Sequence, residues 1–184
     1  MDGPSLKGKL LVATPLLGDP NFHRTVVLML EHGDEGAVGL VLNRPSETAV
    51  AGPLPQWKAL TADPDVVFVG GPVSTEMVIG LGRRRPEIDV SGWSPVVGRI
   101  GTVDLDDVDA AASTLDAVRL FAGYAGWGGG QLEDEMAARA WWTVPALPSD
   151  PLSSEPEQLW RAVLRRQPGD LRLVANFPLD PAEN

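Results

Sequence analysis

The chain has 184 residues, enough for one domain with its own core, and 43% of them are hydrophobic. Its formal net charge of −10 argues against direct nucleic-acid binding, because phosphates are bound mainly through Lys and Arg. The absence of cysteine excludes disulfides, thiolate metal sites and thiol nucleophiles. No apolar leader follows Met1 and no apolar run approaches the length of a membrane span, so we expect a cytoplasmic protein.

Short apolar segments separated by turns predict a series of strands in the first half of the chain. We expect strands at Leu10 to Ala13, Thr25 to Leu30, Val38 to Leu42, Val66 to Val69 and Met77 to Leu81. The second and third are joined by a short glycine-bearing loop, which predicts an antiparallel pair. Residues 46–65 are predicted to be irregular apart from one helical turn, and residues 82–97 to form an exposed excursion.

The second half mixes strands with short helices. Strands are predicted at Arg99 to Leu105, Val118 to Tyr124, Trp141 to Val144 and Leu171 to Ala175, and helices at Asp106 to Leu115 and Glu157 to Gln167. In the last helix, Leu159 and Trp160 each have an apolar partner four residues later. Because strands often follow one another directly, we expect one α+β domain over residues 1–184, with a mixed or antiparallel sheet and flexible ends at 1–8 and 176–184.

Three turns are candidates for a ligand site, because glycine and proline expose backbone groups there. One is Asn43-Arg44-Pro45, one is Gly70-Gly71-Pro72, and one is the glycine-rich segment from Gly123 to Gly130. If they converge in space, they form one cleft. The candidate ligand-binding residues are Asn43, Arg44, Gly70, Gly71, Pro72, Gly123, Tyr124, Trp127, Gly130, Gln131, Glu133 and Glu135.

The glycine-rich segment supports two interpretations. A helix beginning after Gly130 would offer unpaired N–H groups to an anion. Alternatively, acidic residues in the first turn, including Glu133, would satisfy the helix dipole themselves. Trp127 could line a pocket or pack in the core, and Gln131 and Glu135 would face the same side of the helix, where a ligand could bind them.

Other chemistries have weaker support. His23 and His32 lack the spacing of a zinc motif, so we expect neither a metal nor a cofactor. No nucleophile elbow of the GxSxG type is present. Acid–base catalysis by Glu133 or Glu135 stays open, although an enzyme is not the favoured interpretation.

The chain resembles the YqgE/AlgH family of small bacterial proteins in residues 10–32, 36–45, 67–73, 123–136 and 140–146. The most specific block is Gly-Tyr-x-x-Trp-x-x-Gly-Gln-Leu-Glu-x-Glu, which runs from Gly123 to Glu135. The resemblance implies a single α+β domain with a curved, partly barrel-like mixed sheet flanked by helices. It also brings the label of transcriptional regulator, given to one member for an effect on exopolysaccharide production. It supplies no catalytic residues.

The favoured hypothesis is therefore a small-ligand-binding or regulatory protein. The first alternative is a transcriptional regulator that acts through a protein partner without touching DNA. The second is an enzyme that uses Glu133 or Glu135.

Overall fold

The computed structural model of the protein describes residues 3–89 and 92–178. The strands in this part of the chain are β1 (Lys9–Ala13), β2 (Val26–Gly33), β3 (Gly36–Val41), β4 (Pro45–Ala49), β5 (Val66–Val69), β6 (Val73–Arg84), β7 (Trp93–Val97), β8 (Ile100–Val103), β9 (Leu115–Gly128) and β10 (Trp141–Pro145). The α-helices are α1 (Val108–Thr114), α2 (Gln131–Ala137), α3 (Leu159–Arg165) and α4 (Leu171–Val174). Short 3-10 helices lie at Pro55–Leu60, Asp150–Leu152 and Pro156–Gln158.

The strands form one strongly curled sheet in the order β10-β1-β2-β3-β9-β6-β8-β7, and β4 and β5 join it through β9. The pairing of β5 with β9 is parallel, and the other strand pairs in the described residues are antiparallel. This half-barrel with a few helices confirms the predicted α+β class and the curved, mixed sheet.

The long strand β9 is the centre of the sheet. Its last four residues, 125–128, pair with β3, while Phe121 and Ala122 pair with β5 on the same edge. The other edge pairs with β6 from Leu115 to Tyr124. The glycine-rich segment therefore continues the strand as far as Gly128, where the sequence alone predicts a turn.

Both faces of β2 are buried, which explains why its sequence is apolar at consecutive positions. Val26 and Leu28 point into the larger core, which α3 covers with Trp160. Val27 and Met29 point into a second core. Burial on the two sides of one strand thus places β2 between two packed layers.

A buried arginine connects β9 to two loops. The Arg119 side chain is fully buried, and its guanidinium donates to the carbonyls of Asp63, Pro151 and Ser153. It also lies 4.4 Å from the centre of the Phe68 ring. Burial lowers the pKa of Arg119 to about 10, and the nearby charge of Asp63 partly opposes this. The cation stays paired with neutral carbonyl groups, which fixes both loops to the sheet.

Several predicted elements are confirmed. The antiparallel pairing of β2 with β3, the strand at Val66–Val69 and the helical turn at Pro55–Leu60 are present. In α3, the side chains of Leu159, Trp160, Val163 and Leu164 are buried as the apolar spacing predicts.

Three predicted elements are wrong. Residues 46–65 contain most of β4, and residues 82–97 contain the end of β6 and all of β7. Both missed strands carry polar residues and a proline, which hide them in the sequence. Pro45 is the first residue of β4, and Pro95 lies in β7 at the edge of the sheet, and both positions tolerate proline. Residues 171–175 were expected to be a strand but include helix α4, because a short apolar run does not distinguish the two structures.

The two ends of the described chain contact the core. Leu6 is buried in the second core, and Ala175 is buried in the first. Residues 1–2 and 179–184 of the predicted flexible ends lie outside the described residues. Among the described helices, none is long and apolar enough to cross a bilayer.

Candidate functional site

Backbone hydrogen bonds bring the three predicted turns together. The carbonyl of Gly70 accepts from the amide of Val41 at 2.8 Å, and the amide of Val69 donates to the carbonyl of Arg44 at 2.8 Å. The amide of Gly70 donates to the carbonyl of Ala122 at 2.9 Å. The ends of β3 and β5 and the middle of β9 are therefore neighbours in space.

At the glycines of these turns, the backbone of a neighbouring strand occupies the space that a side chain would need. A Cβ atom on Gly70 would lie 2.3 Å from the carbonyl oxygen of Gly123, and one on Gly71 would lie 2.1 Å from the carbonyl carbon of Tyr124. Gly70, Gly71 and Gly123 are themselves buried. Glycine is needed here because backbones touch, and Pro72 is left exposed at the edge of this contact.

Two predicted residues of α2, Gln131 and Glu135, hydrogen-bond to protein groups next to the helix. Oε2 of Glu135 accepts the indole N–H of Trp127 at 2.9 Å and that of Trp141 at 2.8 Å. Gln131 donates to Oε1 of Glu135 at 3.2 Å and accepts from the amide of Gly128 at 3.1 Å. Gln131 and Glu135 thus share one face of α2, and the groups they contact belong to the protein.

Trp127 is only 6% exposed and packs in the second core. Phe22 stacks on it with a centroid separation of 6.2 Å and meets the edge of Trp141 at 5.5 Å. Tyr124, which is half-buried, packs against the first core. Trp127 therefore packs on the same side of the sheet as α2, and Tyr124 packs on the other side.

Glu133 contacts a histidine whose tautomer follows from its neighbours. Nδ1 of His32 accepts the amide N–H of Leu6 at 3.1 Å, so the ring proton is on Nε2, which donates to Glu133 at 2.7 Å. This hydrogen bond is the main reason that the pKa of Glu133 is lowered. Both ring nitrogens are occupied by protein groups. Gly130 is the N-cap residue that precedes α2, and its φ of 79° is a left-handed conformation that favours glycine.

A cavity of about 360 Å³ lies between the Asn43-Arg44-Pro45 turn and the start of α3. It is lined by His23, Arg24, Asn43, Arg44, Glu157, Gln158, Trp160 and Arg161, and we call it the arginine cavity. Of the residues predicted from the sequence, Asn43 and Arg44 line it. Cavities that bind small ligands begin at about 300 Å³, so its size suits a compact molecule.

Asn43 holds the backbone on one side of the arginine cavity. Its Oδ1 accepts from the amide of Val26 at 2.9 Å, and its Nδ2 donates to the carbonyl of Arg24 at 2.8 Å. Arg24 has a φ of 53°, which is uncommon for a residue with a side chain. Its guanidinium lies 4.5 Å from the ring centre of Trp160, whose indole N–H donates to Ala13. The side chain of Asn43 therefore holds the backbone of Arg24, whose guanidinium lies over Trp160.

Carbonyl oxygens hold the other two arginines of the cavity. Arg44 donates to the carbonyls of Pro20 at 3.0 Å and His23 at 3.1 Å. Arg161, on α3, donates to the carbonyl of Ala175. These contacts fix the guanidinium groups without neutralising their charge.

The three arginines of the cavity have no carboxylate partner among the described residues, whose ion pairs involve other side chains. Burial lowers the pKa of Arg24, and the positive charge of Arg161 lowers it further. Burial also lowers the pKa of Arg44, although Asp19 opposes this. In this part of the chain, Nε and Nη1 of Arg24 and of Arg44 have no acceptor. Within residues 3–89 and 92–178, the cavity therefore presents positive charge without a carboxylate partner, and N–H donors without an acceptor.

Sequence reasoning missed Arg24, Trp160 and Arg161. Arg24 and Arg161 are far apart in the chain, and only the curled sheet brings α3 against the start of β2. The sequence did contain one signal for Arg161, which is a basic residue on the polar side of the amphipathic helix α3. Within the described residues, no group of three or more His, Asp or Glu side chains could hold a metal ion.

Comparisons with known proteins identify relatives over nearly the whole chain. A family model described as AlgH-like matches residues 10–172. A UPF0301 protein of Streptomyces coelicolor is 51% identical over 189 residues, covering 98% of this chain and 96% of the relative. A relative from Mycobacterium marinum is 48% identical over 181 residues, covering 96% of this chain and 90% of the relative.

Two solved structures have the same fold. The crystal structure of protein DIP2367 from Corynebacterium diphtheriae superposes with a TM-score of 0.89 at 33% identity, covering 96% of this chain and 94% of that one. The solution structure of the AlgH protein from Pseudomonas aeruginosa superposes with a TM-score of 0.72 at 32% identity, covering 97% of each chain.

Proposed function

The chain belongs to the AlgH-like family, and we propose that it binds a small anion in the arginine cavity. The observation that carries this proposal is the presence of Arg24, Arg44 and Arg161 around one cavity without a described carboxylate partner. A ligand carrying carboxylate or phosphate groups would pair with these guanidinium groups.

The chemistry of the guanidinium group favours this ligand class. Its planar set of N–H donors matches two oxygens of a carboxylate or a phosphate. Arg24 and Arg44 approach from the β2 and β3 side, and Arg161 approaches from α3. Glu157 also lines the cavity, so a ligand with one neutral or cationic end fits better than one that is anionic throughout.

Thermal unfolding of the full chain tests the proposal. The ligands are inorganic phosphate, a sugar phosphate, citrate and a nucleotide, compared at equal ionic strength with an uncharged sugar. A ligand at one hundred times its Kd stabilises by about 2.7 kcal/mol, which raises the unfolding midpoint by about 5–10 °C. The relative shifts produced by citrate and by the phosphates distinguish a carboxylate ligand from a phosphate ligand.

Matched variants locate the site. Arg44→Gln should abolish the shift, Arg44→Lys should retain part of it, and Arg165→Gln should leave it unchanged. Arg165 is exposed on the same helix as Arg161 but outside the cavity, so it controls for the loss of one positive charge. A flat panel, or a shift that survives Arg44→Gln, would contradict the proposal.

A second candidate function is regulation through a protein partner. Val69, Val73 and Met77 are 41%, 36% and 44% exposed, and Val69 lines an apolar groove of about 370 Å³ on the β5 side of the sheet. Exposed apolar groups of this kind are typical of protein contacts. Crosslinking in cells of the native species tests this candidate: a specific partner should be lost in Met77→Asp and kept in Arg165→Gln, and identical crosslinks would exclude this surface.

A further inference from the structure

The segment from Leu171 to Pro178 is held weakly by apolar contacts. Its residue Ala175 is fully buried, whereas Leu173 is 62% exposed and Phe177 is 46% exposed. Leu171 and Val174 are only partly buried against the first core. Apart from Ala175, the apolar side chains of this segment are therefore partly or largely in contact with water while it is docked.

Two arginines of the cavity bind this segment through its carbonyl groups. Arg161 donates to the carbonyl of Ala175 and, at 3.4 Å, to that of Phe177. Arg24 donates to the carbonyl of Phe177 at 2.7 Å and also contacts the carbonyl of Pro178. The cations available to a ligand are thus the cations that fix the segment.

The third arginine does not depend on the segment. Arg44 donates to the carbonyls of Pro20 and His23, on the opposite side of the cavity. The site therefore has one fixed cation and two cations that are shared between the cavity and the C-terminal segment.

We propose that anion binding in the arginine cavity competes with docking of residues 175–178, so that the bound ligand releases this segment. The inference rests on the proposed function and adds a regulatory consequence to it. Hydrogen bonds from a guanidinium to an anion are roughly twice as strong as those to a neutral acceptor. Nε and Nη1 of Arg24 make the first contacts with the anion. Because an anion held by all three arginines must lie between them, it draws the guanidinium groups of Arg24 and Arg161 toward the cavity and away from the carbonyls of residues 175, 177 and 178.

Hydrogen exchange of the full chain measures this release. The amides of Asn176 and Phe177 donate to the carbonyls of Leu173 and Val174, so they are protected while the segment is docked. Exchange is followed by mass spectrometry with and without saturating citrate or inorganic phosphate at constant ionic strength. We expect exchange of these amides to become about tenfold faster with ligand, because losing charge-assisted hydrogen bonds favours local opening by at least that factor.

Three variants distinguish competition between the anion and residues 175–178 from a general increase in flexibility of the chain. Arg161→Gln should accelerate exchange in residues 175–178 without ligand, whereas Arg44→Gln should leave exchange unchanged and remove the effect of ligand. Arg165→Gln should behave like the original chain in both conditions.

The outcomes also distinguish this inference from the proposed function. Calorimetry on the same samples reports whether the anion binds. Binding with unchanged or slower exchange in residues 175–178 overturns the competition and leaves the proposed function standing. If none of inorganic phosphate, the sugar phosphate, citrate and the nucleotide binds, both are overturned.

Discussion

Oε2 of Glu135 lies 2.9 Å from the indole nitrogen of Trp127. The same oxygen accepts the indole N–H of Trp141 at 2.8 Å, and both rings are buried. One carboxylate therefore joins the end of β9 to the start of β10 through two side chains. The relationship gives a physical reason for the spacing of Trp and Glu in the motif from Gly123 to Glu135.

Replacing Glu135 by Ala should destabilise the protein. Two buried N–H groups would lose their acceptor, which costs about 2–4 kcal/mol in the free energy of unfolding. The midpoint in differential scanning calorimetry should fall by about 5–10 °C. Asp134→Ala, on the exposed face of the same helix, should change the free energy by no more than about 0.5 kcal/mol. Equal midpoints for the two variants would contradict the structural role of Glu135.

The contact between Gly71 and Tyr124 predicts a second difference in stability. A Cβ atom at Gly71 would overlap the backbone of Tyr124, so Gly71→Ala should cost about 3 kcal/mol or more in the free energy of unfolding. Gly128→Ala is the control, since a Cβ atom there has no neighbour within 4 Å. Urea denaturation should give a clearly lower free energy of unfolding for Gly71→Ala than for Gly128→Ala. Equal values would show that the strands can move apart to admit the methyl group.

Charge changes inside the arginine cavity should move anion affinity in opposite directions. Glu157→Gln removes the negative charge that lines the cavity and should raise the affinity for citrate about two- to fivefold. Asn43→Asp adds a negative charge beside Arg24 and removes the amide that donates to its carbonyl, so affinity should fall about tenfold. Isothermal titration calorimetry measures both. If both variants changed the citrate affinity in the same direction, the anion would bind outside the arginine cavity.

The hydrogen bond between His32 and Glu133 predicts a pH-dependent contribution to stability. It lowers the pKa of Glu133 in the folded protein, so the contribution is present above the ordinary value of 4.5 and is lost as the pH falls through the lowered pKa. Glu133→Gln should therefore unfold at a lower midpoint than the original chain at about pH 6. This gap should be small, because Glu133 is half exposed, and it should shrink as the pH falls below 4.5.

Thermal melts of both proteins across this pH range provide the measurement. His32→Leu is the control, because its side chain has no hydrogen-bond donor and should abolish the same pH dependence. A gap that widens toward pH 3 would show that the sign is wrong.

The sheet was largely predictable because its interior strands are apolar at consecutive positions. Residues 26–30 of β2 and residues 67 and 68 of β5 are buried, and their consecutive apolar residue types indicate this burial in the sequence. The edge strands β4 and β7 lack this pattern, because one side of each faces water.

The candidate site was less predictable than the sheet. The sequence indicated Asn43 and Arg44 but not Arg161, because the position of α3 depends on how far the sheet curls. Gly70 and Gly71 have the same residue type as a ligand-binding turn, yet the structure uses them for contact between backbones. A glycine pattern shows that something approaches the chain closely, and only the fold shows whether this is a ligand or another strand.

The pairing of β9 also determines when the chain can fold during synthesis. Its partners β3, β5 and β6 all precede it, so they leave the ribosome with the hydrogen-bonding edges that face β9 still open. The central sheet cannot close until Gly128 has emerged. The nascent chain therefore exposes apolar strands for most of its translation, which favours association with chaperones and makes truncated products prone to aggregation.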